Sequence, residues 1–106
     1  MKENIVTPQI GQIVRVTQGR EQHQVAVIIK IIDDRYVLLA DGDKRKYDRP
    51  KRKNINHLEG TPIISKEVRD SLLGTGRVSN GKLRFAVDKY EREVVTELEK
   101  GDEHSV

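Results

Sequence analysis

The chain has 106 residues, of which 35% are hydrophobic and 35% charged, with a formal net charge of +3. That length allows one compact domain and an appendage. The absence of Cys excludes disulfides and thiolate metal sites, and no run of 18 apolar residues offers a membrane-spanning helix. The opening MKENIVTPQIG carries one Lys and no apolar stretch of signal-peptide length, so a cytoplasmic location is expected.

Gly11 to Thr17 reads as a strand, with Val14 and Val16 on one face and Ile13 on the other. Gly19 to Gln24 is polar and reads as a loop. Val25 to Ile32 is rich in β-branched residues and too short for a typical helix, which predicts a buried strand; Lys30 within it is expected at a sheet edge, where lysine discourages further pairing. Asp33-Asp34 predicts a turn and Arg35 to Ala40 a returning strand. Asp41-Gly42-Asp43 is the strongest hairpin signal, so the following basic run is expected to leave it as a fourth strand, broken at Pro50. Asn54 to Leu58 is expected as a fifth. Five short strands at such close spacing predict a small, partly open barrel.

After Gly60 the period changes. Ser65 is placed to cap a short helix whose apolar residues Ile64, Val68 and Leu72 recur every four positions, ended by Gly74-Thr75-Gly76. Ser79 is placed to cap a longer one, on which Leu83, Ala86, Val87, Tyr90, Val94 and Leu98 form an apolar stripe. Glu91, Glu93, Glu97 and Glu99 lie mostly off it, and Gly101 onward is expected as a frayed tail. Two parts follow: residues 1–58 as the β unit and residues 59–106 as a helical extension with an acidic end.

Charge is unevenly spread. Lys44 to Lys53 (KRKYDRPKRK) holds seven Lys or Arg against one Asp, a local net of +6. Density of that kind is self-repelling, and a folded chain tolerates it best where a polyanion neutralises it. Solvated surface charge is the bland alternative, but +6 in ten residues on an ordered hairpin is unusual for it. Strand alternation would set Arg45, Tyr47 and Arg49 on one face; a buried Tyr47 serves the core, whereas an exposed one would stack on a base.

Gly11-x-x-Val14-x-Val16-x-x-Gly19-Arg20 followed by Val25-Ala26-Val27-Ile28 resembles the KOW motif. Tyr36 to Gly42, Arg45-Lys46, Arg49 to Lys53 and His57-Leu58 extend the resemblance to small bacterial KOW-domain RNA-binding proteins, themselves similar to KOW proteins of the archaeal and eukaryotic large ribosomal subunit. The resemblance implies an SH3-like five-stranded barrel followed by two helices, a mainly β chain with C-terminal α. It also implies non-catalytic binding of rRNA or another structured RNA, in association with translation. One departure is Glu21-Gln22-His23-Gln24, where the family carries a second Gly preceded by Lys.

The expected RNA-binding residues are therefore Arg20, Lys44, Arg45, Lys46, Arg49, Lys51, Arg52, Lys53 and His57. A protein-interaction module of the translation or transcription machinery is the alternative, since SH3-like barrels also dock proteins. RNA is the expected partner, with the C-terminal helices offering a surface to the ribosome or another protein, no membrane association, and a monomeric state. No enzyme is expected: His23, His57 and His104 lack metal-ligand spacing, Asp33, Asp34, Asp41 and Asp43 suit turns, and no nucleophile has an evident base. No cofactor or metal is implied.

Overall fold

The computed structural model describes residues 7–104, with side chains as far as Val94. The leader-peptide expectation thus falls in part outside the described residues, as do the side chains of Glu97, Leu98 and Glu99. Five strands, β1 (Gln12–Val16), β2 (Val25–Ile31), β3 (Tyr36–Ala40), β4 (Lys51–Asn54) and β5 (Leu58–Ile64), precede helices α1 (Lys66–Thr75) and α2 (Asn80–His104). The strands form one antiparallel sheet in the order β4-β3-β2-β1-β5. β4 and β5 are its two edges, so the sheet is open.

β1 and β2 are paired along both edges, and side chains pack on both of their faces. Ile13, Val25, Val27, Ile29 and Ala40 meet Val68, Val78, Leu83 and Ala86 from the helical side. Val14, Val16, Ala26, Ile28, Val37 and Leu39 form a second cluster, overlaid by Ile55 and Leu58. Two-sided burial explains why β2 reads as a continuous apolar run rather than an alternating one. It also moves Lys30, which is exposed on an interior strand opposite Leu38 and not at an edge.

The helix signals were local and hold. Ser65 Oγ accepts from the Val68 amide at 3.3 Å, and Gly76 closes α1 in the left-handed region at φ 77°. Ser79 Oγ accepts from the Lys82 amide at 3.1 Å. On α2, Leu83 and Ala86 are buried and Val87 and Tyr90 half-buried, as the stripe requires; the helical backbone runs on past Gly101 to His104.

Two strand expectations are corrected. The sequence predicts the fifth strand at Asn54 to Leu58, but the Asn54 side chain accepts from the Asn56 amide and caps a 3-10 turn over Ile55–His57, and the strand follows from Leu58. Thr61 anchors it to β1 by donating from Oγ1 to the Ile13 carbonyl at 2.7 Å, beside a register shift that accommodates Pro62. The sequence predicts a fourth strand along the basic run from Lys44, yet only Lys51 to Lys53 and Asn54 join the ladder. Residues 41–50 form a loop instead.

The reason lies at Gly42. The amides of Asp41 and Gly42 both donate to the Arg45 carbonyl, while Asp41 Oδ1 accepts from the amides of Asp43 and Arg45. Gly42 sits at φ 81° against the start of α2, where a Cβ would collide with the Asn80 carbonyl. Its own carbonyl accepts from Arg84 at 2.8 Å. Tyr47 completes the tether: its amide donates to Asn80 Oδ1 at 2.8 Å and its hydroxyl to the Gly76 carbonyl at 3.0 Å. Tyr47 therefore packs against the helical core cluster rather than standing free.

Candidate nucleic-acid interface

The register of β4 on β3 decides where the basic side chains go. Leu39 faces Lys51 and Val37 faces Lys53, so these two lysines share the side of the second apolar cluster. Arg52 stands opposite Leu38 and turns to the other side, where its guanidinium carbon lies 4.6 Å from the centre of the Tyr36 ring. Two neighbours in sequence thus serve opposite faces.

On the lysine side the chain forms a cavity of about 260 Å3, bordered by Val16, Ala26 and Leu39 and by the polar Arg20, Glu21, Gln24, Asp41, Lys44, Arg45, Lys51 and Lys53. Five cationic groups face two carboxylates there, a local net of +3. Of those carboxylates, Asp41 is committed to its own loop's amides. Glu21 is committed to the strand: Lys53 Nζ donates to its Oε1 at 3.1 Å, and Lys51 Nζ lies 3.9 Å from Oε2. The Lys53 hydrogen bond, helped by a backbone hydrogen bond within Glu21 itself and by the charges of both lysines, holds the Glu21 carboxyl below its ordinary value against the opposing effect of burial.

The remaining basic residues divide as follows. Lys44 and Arg49 are exposed and Arg45 half-exposed. Lys46 donates to the Asp43 carbonyl at 3.2 Å, and Arg45 to the Arg49 carbonyl at 3.4 Å. Among the described residues, only Lys51 and Lys53 of the run lie against a carboxylate, and both use Glu21. Arg20 is exposed at the cavity edge. His57 sits half-buried in the 3-10 turn, away from the cavity lining. Of the predicted set, Arg20, Lys44, Arg45, Lys51 and Lys53 line the cavity together, and Lys46, Arg49, Arg52 and His57 do not.

The loop that departs from the KOW pattern keeps a glycine-like backbone. His23 takes φ 77°, and its amide donates to the Val16 carbonyl at 2.7 Å. Sequence reasoning missed Glu21 as the anchor of Lys53 and Tyr36 as the platform under Arg52. No local pattern links Glu21 to a residue 32 positions away; the alternation of β4 against β3 carried a signal for Tyr36 once the register was known. Among the described residues, no group of three or more His, Asp or Glu could hold a metal ion, and no helix is long and apolar enough to cross a membrane.

Fold and site together describe a small basic protein: an open antiparallel sheet covered on one side by two helices and cationic at one edge. Over 71 residues, 67% of this chain and 96% of the relative, it is 42% identical to the Bacillus subtilis (strain 168) protein named "Putative ribosome-binding protein YbzG". The chain belongs to the family of that protein. It is also 37% identical over 54 residues to large ribosomal subunit protein eL14 of Hyperthermus butylicus, and 38% identical over 52 residues to that of Pyrobaculum islandicum. These matches take in 51% and 49% of this chain and 55% and 50% of the two relatives, about half of each. No family model matches the chain.

Proposed function

We propose that this protein binds RNA, ribosomal or otherwise structured, as a non-catalytic component associated with the ribosome in the cytoplasm. The observation that carries this reading is the cationic cavity edge, where Arg20, Lys44, Arg45, Lys51 and Lys53 converge from three separate segments. The ribosome-binding and ribosomal names of the relatives support the same partner. Lys46 and Arg49, on the same loop, extend the surface along the backbone of the RNA. In this reading the strand order is that of a KOW-type, SH3-like barrel left open at β4 and β5. The contacts lie on the β unit, whose last strand β5 runs on to Ile64, and the helices from Lys66 cover the far side of the sheet.

Phosphate contacts fix position and carry no base sequence, so selectivity comes from RNA shape and from unpaired nucleotides. Salt dependence tests the proposal. If Arg20, Lys44, Arg45 and Lys51 each meet a phosphate, log K against log salt falls with a slope of about −2.8 to −3.6, at roughly 0.7 to 0.9 per contact. A slope near zero with ribosomal RNA fragments, or no retention of them at low salt, overturns it.

A further inference from the structure

We infer that the cavity beneath Lys51 and Lys53 receives the base of one unpaired nucleotide, turned out of its stack, while its phosphates rest on the cationic rim. This inference rests on the RNA reading and adds a base-holding site to it.

The cavity combines two properties that a purely phosphate-binding surface would not need. Its floor is apolar, made by Val16, Ala26 and Leu39. Its rim is cationic. A sugar-phosphate chain gains nothing from an apolar floor, whereas a nucleobase is flat, desolvates readily from its faces and is tethered to an anion. The volume of about 260 Å3 leaves room for a single base.

The polar groups at the wall suit the edge of a base. Lys53 is only 11% exposed, and its ammonium is fixed beside the Glu21 carboxylate. That places a donor and an acceptor next to each other before any ligand arrives, at little cost in ordering on binding. The loop supplying Glu21 is held in turn by the His23 amide on Val16, itself a floor residue. Base edges present adjacent donors and acceptors, and a paired carboxylate and ammonium match that pattern. Arg20 and Lys44, exposed at the rim and without a carboxylate contact among the described residues, can meet the flanking phosphates.

The test uses the full chain and three RNA hairpins: one with a single bulged adenosine, one with that nucleotide abasic, and one with the bulge removed. Removing the base alone is expected to weaken binding roughly tenfold, the scale of losing the apolar burial of one base face. In the bound state, protons of the bulged base should show nuclear Overhauser effects to the methyls of Val16, Ala26 and Leu39. Equal affinity for the intact and abasic bulges overturns the inference and leaves RNA binding standing. A tenfold loss without those methyl contacts also overturns it, because the base is then held elsewhere. If none of the three hairpins is retained at low salt, the inference and the RNA reading fall together.

Discussion

Lys53 Nζ lies 3.1 Å from Glu21 Oε1, joining an edge strand to a loop 32 positions earlier in the chain. Lys53 is 11% and Glu21 26% exposed, so the pair is better shielded than an ordinary surface salt bridge. It closes one wall of the cavity and removes one ammonium from the free positive charge of the run.

Glu21→Gln should cost about 1 kcal/mol at neutral pH, since Lys53 then lacks a counter-charge in a shielded position. The pH dependence has a definite sign. A carboxyl held below its ordinary 4.5 in the folded state stabilises the fold fully above that value and loses its contribution as pH falls through the folded value. Urea unfolding of both proteins at pH 7 and pH 3 checks this: the gap between them should shrink in acid. An unchanged gap at the two pH values would remove Glu21 as the source.

Adjacent substitutions on β4 should separate the two faces. Lys51→Ala removes a rim charge, and the salt slope for ribosomal RNA should become shallower by roughly 0.7 to 0.9. Arg52→Ala should leave the slope alone and cost about 0.5–1 kcal/mol of stability through loss of its contact with Tyr36. Equal slope changes in the two variants would refute the assignment of Arg52 to the opposite face.

His23→Gly should be neutral to stabilising, by up to about 1 kcal/mol. A side chain at φ 77° is strained relative to glycine, and the greater freedom of glycine in the unfolded chain offsets part of the relief. Denaturant midpoints measure the balance. A loss of more than about 1 kcal/mol would show that the imidazole makes a stabilising contact that outweighs the strain.

Gly42→Ala should destabilise by at least about 2 kcal/mol, combining a positive φ with collision against the Asn80 carbonyl. Thermal unfolding reads this directly, and a midpoint within about 2 °C of the parent would show that the loop can move away from α2.

Local chemistry made much of the fold legible. Ser65, Gly76 and Ser79 mark helix ends because a cap bonds amides three positions away, within the same stretch of sequence. Val25 to Ile29 announces a buried strand through side-chain shape alone. The antiparallel return after Asp41-Gly42 is legible, but the late start of β4 at Lys51 is not, for the opposite reason. The conformation at Gly42 serves Asn80 and Arg84, about forty positions later, and a dipeptide pattern holds no trace of that docking.

The candidate site divides along the same line. Charge density from Lys44 to Lys53 is a property of covalent order, and it is legible in the sequence as the basis of the proposed polyanion contact. Which charges work together is a matter of long-range pairing. The β3–β4 register sends Lys51 and Lys53 to one face and Arg52 to the other, and the Tyr47 tether bends residues 41–50 out of the sheet. Composition and short-range periodicity act within a few residues, so they appear in the primary chain. Register, docking and charge neutralisation by Glu21 depend on groups that meet only when the strands and helices pack, and those the folded molecule alone decides.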